Sequence, residues 1–183
     1  SSKQDIIRFT RIPGNKIKVI YLAPDPVFKP IKPSQNFDLP KKFVLYVGDV
    51  NYNKNLPFLA ETCLKLNFPL VVVGQQAVSR NFDQAHPENR ALVEFQALAA
   101  ANPKQILTMG FIKTKELVSV YNLATVYCQP SLAEGFGLPV LEAMACGCPV
   151  ITSKDTSLAE ISGSAAVLIK PTKAFELTEA LNN

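Results

Sequence analysis

Features typical of several protein classes are missing from this sequence of 183 residues. It has no apolar run of the roughly 18 residues that a membrane-spanning helix needs. The opening residues, SSKQDIIRFTR, lack the apolar core of a signal peptide. Positive charge is scattered, without the basic stripe and interleaved aromatic residues of nucleic-acid binders. We therefore expect a cytoplasmic protein, with the membrane surface as the alternative location, and no nucleic-acid partner.

Cysteine and histidine are too few and too dispersed for a metal centre. The four cysteines lie in apolar segments, which favours reduced, packed thiols over disulfides: Cys63, Cys128, Cys146 and Cys148. Although a single glycine separates Cys146 from Cys148, no second Cys or His cluster exists to complete four ligands. The only histidine, His86, lies in a polar stretch, where we expect it to be solvated. The sequence thus predicts neither a metal nor another cofactor.

The composition is that of a folded globular protein. Apolar residues make up 48% of the chain and charged residues 19%, with a net charge of +4, which argues against a disordered tail. At this length one domain buries roughly 70% of the surface that its unfolded chain exposes. The sequence therefore predicts one α/β domain rather than two large ones.

From about residue 42 onward, short apolar runs alternate with amphipathic segments. The runs are nearly continuously apolar, as strands covered on both faces are: Phe43–Val47, Leu70–Val73, Ile106–Phe111, Thr125–Gln129, Pro149–Thr152 and Ala166–Ile169. The segments between them are predicted helices: Leu56–Leu66, Asn89–Ala101, Lys115–Leu123, Pro139–Cys146 and Ser157–Ile161. Strands that alternate with helices imply right-handed crossovers, and hence a parallel sheet of about six strands with helices on both faces.

Residues 1–41 do not follow that alternation. We expect a short helix at Gln4–Arg11 and a strand at Lys16–Leu22, whereas the proline-dense Ala23–Pro40 is typical of an extended connector. Residues 75–88 are polar and unpatterned, which predicts a surface loop. We therefore divide the chain into a connecting segment, 1–41, and an α/β domain, 42–183.

Residues 129–153 (QPSLAEGFGLPVLEAMACGCPVITS) combine a strand end, a glycine-containing loop and the start of a helix. Proline at 139 suits a first helical turn, and Gly147 suits the left-handed residue that ends a helix. Open parallel sheets bind ligands at the carboxyl ends of their strands. Gly135 and Gly137 allow a ligand close to the backbone there, and free amides of the helix start favour phosphate.

Two glutamates accompany this predicted phosphate site. Glu134 lies in the loop, and Glu142 is expected in the first turn of the helix. Carboxylates beside a phosphate make sense if they accept hydrogen bonds from neighbouring hydroxyl groups, as in the sugars of a nucleotide sugar. The alternative is a solvated Glu134 and a Glu142 stabilised by the helix dipole.

The stretch Glu134–Val150 resembles the E-x7-E signature of retaining glycosyltransferases of family 4, which adopt the GT-B fold of two Rossmann-like halves. The preceding Ala124–Ser131 and the following Ser157–Ile161 and Ala165–Pro171 resemble the flanking segments of that family. The similarity covers most of residues 42–172. It implies a Rossmann-like domain that forms one half of a GT-B fold and binds a UDP-, GDP- or ADP-linked hexose.

The resemblance also implies roles for individual residues. Glu142 matches the glutamate that accepts hydrogen bonds from the nucleotide ribose, and Glu134 the one that lies by the donor hexose and stabilises the transition state. The backbone of the loop holds the sugar and the phosphate: Gly135, Phe136, Gly137 and Leu138.

Further implied contacts follow two other predicted strands. After the first strand, Gly48 borders the donor site and Lys54 matches a lysine that neutralises the leaving diphosphate. Asp49 stands where the family often has arginine, so one cation is missing. Gly110-Phe111-Ile112 resembles a segment that receives the nucleobase, which makes Ile112 a candidate contact; core packing is the alternative.

The leading hypothesis is the donor-binding half of an enzyme that transfers a hexose, such as mannose, to an acceptor hydroxyl. The acceptor, a glycan or a lipid-linked molecule, would bind the missing N-terminal half, so we expect this chain to be inactive alone. Residues 1–41 would then be the interdomain linker and a remnant of that half. The longer protein would associate peripherally with a membrane. The alternatives are a nucleotide-binding module or subunit without transfer activity, and an epimerase-like GT-B domain for sugar nucleotides.

Overall fold

A parallel sheet of six strands organises the computed structural model, which describes residues 2–33 and 37–183. Its strands are β1 Val44–Val47, β2 Leu70–Val73, β3 Ile106–Gly110, β4 Val126–Gln129, β5 Val150–Ser153 and β6 Val167–Ile169. They lie in the order β3-β2-β1-β4-β5-β6, and every pair is parallel. The α/β prediction is confirmed, and each of the six strands predicted from residue 42 onward agrees with the structure to within one residue at either end.

Helices connect the strands and cover both faces of the sheet. The α-helices are α1 Ser2–Thr10, α2 Leu56–Lys65, α3 Gln75–Val78, α4 Arg90–Ala101, α5 Thr114–Leu123, α6 Leu138–Ala145, α7 Ser157–Ser162 and α8 Ala174–Asn182. Short 3-10 turns lie at Gly14–Lys16, Tyr52–Lys54 and Pro87–Asn89. Among the described residues, no helix is both long enough and apolar enough to cross a membrane.

Two separate hydrophobic cores form because successive strand residues point to opposite faces. Val44 and Tyr46 of β1 belong to one core, and Leu45 between them belongs to the other. Helices α2, α4 and α8 close the first core, and α5, α6 and α7 close the second. The side chains of Val44, Leu45 and Tyr46 are at most 1% exposed. Because both faces of the sheet are covered in this way, the strands are apolar without alternation.

The predicted strand at Lys16–Leu22 is wrong. After the 3-10 turn at Gly14–Lys16 the chain is extended, but no strand of the described sheet pairs with it. Val19, Ile20 and Tyr21 remain 44–76% exposed. Apolar alternation favours a strand only where a neighbouring strand accepts its backbone hydrogen bonds, and the sequence pattern does not reveal whether one is available.

The loop predicted at residues 75–88 is also partly wrong. It begins with the four-residue helix α3, which buries Ala77, and it ends in the turn Pro87–Asn89. A single helical turn is too short to show a periodic pattern. In the predicted connector, residues 23–33 and 37–40 contain no helix or strand, whereas residues 34–36, like residue 1, lie outside the described residues.

The ends of β1 and β2 approach each other at two glycines. A Cβ atom built on Gly74 would lie 2.1 Å from the carbonyl oxygen of Gly48. The Gly48 amide donates to the Val73 carbonyl at 2.9 Å, and this hydrogen bond holds the two strand ends close together. Only glycine fits at position 74 without moving backbone.

Gly74→Ala should therefore destabilise the fold. We expect the free energy of unfolding, measured by urea denaturation, to fall by about 1–3 kcal/mol because the new methyl group meets a fixed carbonyl. Gly135→Ala is the matched control, since its Cβ would meet no atom within 4 Å. Equal stability of the two variants would contradict the close approach.

Candidate functional site

The loops that follow β1 and β4 are joined at the carboxyl edge of the sheet. The Leu132 amide donates to the Asn53 carbonyl at 2.7 Å. The Asn55 side-chain amide donates to the carbonyls of Pro130 at 3.2 Å and Pro171 at 2.8 Å. Asn55 thereby links the loops after β1, β4 and β6, and its left-handed backbone, with φ of 57°, suits asparagine.

Lys54 and Glu134 form an ion pair between two of these loops. The Lys54 Nζ atom lies 2.6 Å from Oε1 and 2.9 Å from Oε2 of Glu134. The side chains are 24% and 11% exposed, respectively. The Lys54 backbone amide donates a hydrogen bond to Oδ1 of Asn51 at 3.2 Å, and this bond helps to orient the lysine. Two residues proposed from separate motifs are thus in direct contact, beside an open groove that Gly135 also lines.

Helix α7 fixes the glycine-containing loop. The Ser157 hydroxyl donates to the carbonyls of Glu134 at 2.8 Å and Phe136 at 3.3 Å. Gly137 has φ of +109°, and a Cβ there would lie 2.2 Å from Cδ2 of Leu158. Sequence reasoning missed this role of Ser157, since it depends on a contact between separate segments.

The amides of residues 135–138 donate no hydrogen bond to any part of the chain that the structure describes. They lead into the first turn of α6, where backbone N–H groups and the helix dipole favour an anion. The geometry therefore offers a set of donors for phosphate or hydroxyl oxygens next to Lys54 and Glu134.

Glu142 lies in the second turn of α6, not in the first as predicted, because the helix already begins at Leu138. The helix dipole therefore does not account for its position. Burial raises the pKa of its carboxyl group, and a hydrogen bond from the Tyr121 hydroxyl to Oε2, at 3.0 Å, opposes that shift. Tyr121 was not predicted as a site residue.

Glu142 forms no ion pair with Lys54 in the part of the chain described, yet the charges of both glutamates act on the same buried phenol, Tyr127. Burial raises the pKa of Tyr127, and smaller contributions come from the charges of Glu142 and Glu134. The Tyr127 hydroxyl donates to Oε1 of Gln129 at 2.6 Å. Both carboxylates therefore lie within electrostatic range of the Tyr127 hydroxyl on β4.

The other predicted positions lie at strand ends. Gly48, with φ of +145°, directly follows β1. The next residue, Asp49, is exposed, and its backbone carbonyl accepts a hydrogen bond from the Tyr46 hydroxyl at 2.7 Å. Ile112 is partly buried against the second core, whereas Phe111 is 78% exposed. This packing fits the alternative stated for Ile112, and its contact with a nucleobase stays a prediction.

The cysteines are packed in the interior of the protein, and the histidine lies at its surface. All four cysteines are free and buried, and burial raises the thiol pKa of both Cys63 and Cys148 to about 12. His86 is exposed, and its Nδ1 accepts the Glu88 amide at 3.3 Å. Within residues 2–33 and 37–183, no group of three or more His, Cys, Asp or Glu residues is arranged to hold a metal ion.

The extended segment before the connector packs against the glycine loop. The Tyr21 hydroxyl donates to Oε1 of Glu160 at 2.5 Å, and its ring centroid lies 6.4 Å from that of Phe136. Between this segment, the loop and α7 lies a groove of about 200 Å³. The loop is thus held from two sides, by Ser157 and by Tyr21.

Known proteins resemble this chain in sequence and in fold. The chain is 29% identical over 186 residues to the serotype-specific mannosyltransferase WbdA of Escherichia coli, a match that covers 93% of this chain and 22% of that protein. The chain therefore spans less than a quarter of the length of this relative.

Two solved structures have the same fold. The C-terminal domain of the group 1 glycosyl transferase LpcC from Francisella tularensis is 27% identical, with a TM-score of 0.66 over 85% of this chain and 84% of that one. Anabaena HepE, solved with UDP and glucose, is 20% identical, with a TM-score of 0.79 over 99% of this chain and 50% of that one. Both likenesses fit the predicted Rossmann-like half of a GT-B fold.

A family model for glycosyl transferases group 1 matches residues 27–183, which include every strand of the sheet and both glutamates. The chain belongs to the glycosyl transferases group 1 family.

Proposed function

We propose that this chain is the donor-binding half of a retaining glycosyltransferase of family 4, which transfers a hexose from a nucleoside-diphosphate sugar to an acceptor hydroxyl. The observation that carries the proposal is the contact between Lys54 and Glu134 beside the amides of residues 135–138, which have no acceptor among the described residues. A relative named as a mannosyltransferase and a structural neighbour solved with UDP and glucose support it.

Each part of such a donor has a chemically suitable partner. The diphosphate would accept hydrogen bonds from the loop amides and from Lys54, whose charge stabilises the leaving group as the glycosidic bond breaks. The ribose hydroxyls would donate to Glu142, and the hexose would lie against Glu134. Because amides and a lysine supply the positive charge, this scheme uses no metal.

The configuration of the anomeric carbon is retained if the diphosphate leaves and the acceptor attacks from the same face of the sugar. The acceptor oxygen forms the new bond to the anomeric carbon, the bond to the diphosphate oxygen breaks, and that oxygen receives the acceptor proton. The acceptor would bind a second GT-B half, so we expect residues 1–183 to bind the donor without turnover.

One observation favours a second function, a nucleotide-binding module without transfer activity. Asp49 is exposed at the end of β1, where the family resemblance implies arginine, so the site has one cation fewer and one anion more. Sugar transfer after addition of a matching acceptor half would favour the enzyme over the binding module.

Glu142→Gln should weaken the binding of nucleoside diphosphates, since a neutral amide accepts hydroxyl hydrogen bonds less strongly than a carboxylate. We expect about a tenfold loss of affinity by isothermal titration calorimetry with UDP, GDP and ADP. Glu179→Gln, an exposed change on α8, is the control and should leave affinity unchanged. An unaltered affinity in Glu142→Gln would contradict the ribose assignment.

Asp49→Arg should strengthen diphosphate binding, because a cation replaces an anion beside the proposed phosphate site. We expect the gain to shrink as salt is added, since the group is exposed and screened. Glu179→Arg makes the same change in net charge at a remote surface. If both variants strengthen binding equally, net charge rather than the position of Asp49 is responsible, and the assignment fails.

A further inference from the structure

Tyr121 reaches Glu142 from a different helix. It lies on α5 with its side chain completely buried, and its hydroxyl donates to Oε2 of Glu142 on α6 at 3.0 Å. In the described ranges this is the only hydrogen bond that the Glu142 carboxylate accepts, so Oε1 has no protein partner.

Aromatic packing fixes the Tyr121 ring from two sides. The Phe28 ring meets it edge-on at a centroid distance of 5.9 Å, and the Tyr127 ring lies at 5.8 Å. Both neighbours are buried, at 7% and 0% exposure. The position of the Tyr121 hydroxyl is therefore set by the core rather than by solvent.

The segment that supplies Phe28 is itself attached to α5. Asn122, next to Tyr121, accepts the Ile31 amide on Oδ1 at 2.8 Å and donates from Nδ2 to the Lys29 carbonyl at 3.1 Å. These bonds hold residues 28–31 against the helix directly behind the tyrosine ring.

We propose that Tyr121 is a positioning residue for Glu142, which holds Oε2 so that Oε1 is presented to the nucleotide ribose, with Phe28 as the brace that keeps the tyrosine in place. The inference rests on the proposed function, because it takes the ribose as the ligand of Glu142. Residues 28–31 thereby acquire a part in donor binding that their extended, proline-rich sequence does not suggest.

The hydrogen bond also maintains the charge that ribose binding requires. Burial raises the pKa of Glu142. The titratable groups that face it are Tyr121 from α5, Tyr127 from β4 and Cys146 directly after α6, and burial raises the pKa of each, so all three are neutral. No ion pair to Glu142 occurs in the part of the chain described. The Tyr121 hydroxyl is thus the group that opposes protonation of this carboxylate.

Tyr121→Phe should weaken binding of the nucleoside diphosphate that the native chain binds, among UDP, GDP and ADP. We expect about a fivefold loss of affinity near neutral pH. Because Glu142 then keeps its proton to higher pH, the acid limb of the affinity profile should also move upward. Calorimetry over a pH series measures both effects, and an NMR titration of the labelled Glu142 carboxyl group measures the second without any ligand.

Two further variants separate positioning from general loss of stability. Tyr127→Phe removes a buried hydroxyl of the same aromatic cluster that bonds Gln129 instead of Glu142, and it should leave the pH profile in place. Phe28→Leu keeps the Tyr121 hydroxyl but loosens its ring, and it should shift the profile in the same direction by a smaller amount.

The outcomes distinguish the two proposals. If the native chain binds a nucleoside diphosphate and Glu142→Gln weakens it, but Tyr121→Phe changes neither the pH profile nor the carboxyl titration, the positioning role is overturned and the proposed function stands. If no nucleoside diphosphate binds the native chain, the proposed function is overturned and the ribose role of both residues falls with it. An upward shift in Tyr121→Phe, absent in Tyr127→Phe, supports the positioning role.

Discussion

The candidate site depends on one constraint, the pairing of β1 with β4 in the middle of the sheet. β1 pairs with β2 on one side and with β4 on the other, so connections run in opposite directions from this point and a crevice opens at the carboxyl edge. The loops after both strands emerge there side by side. Only this adjacency allows Lys54 and Glu134, which are 80 residues apart in the chain, to form an ion pair.

Stability and ligand binding make opposite demands on Glu142. Its pKa is raised in the folded chain, so the folded state holds the proton more tightly than the unfolded state does. The stability that this contributes is fully present below the unfolded pKa and is lost as pH rises through the folded value. Near neutral pH the ionised, half-buried carboxylate therefore lowers the stability of the folded state. Such a cost is typical of residues that serve a binding or catalytic site.

Sequence reasoning succeeded where the signal is local and failed where it depends on a distant contact. The apolar runs identified the six strands because both faces of the sheet are covered. Lys16–Leu22 is equally apolar, but it pairs with no strand among the described residues, and its sequence could not reveal this. Motif spacing singled out Lys54 and Glu134 separately, not their contact. Asn55 and Tyr121 act through bonds to other segments, and nothing in their immediate sequence indicates those partners.

The central claim is that the edge formed by β1 and β4 binds a nucleoside-diphosphate sugar. A thermal-shift panel of the native chain with uridine, guanosine and adenosine diphosphates and their hexose conjugates tests it most directly. At about 100 times its dissociation constant, a ligand specific for the folded state stabilises it by about 2.7 kcal/mol, so at least one nucleotide family should raise Tm clearly. A Tm that is unchanged across the whole panel would contradict the account.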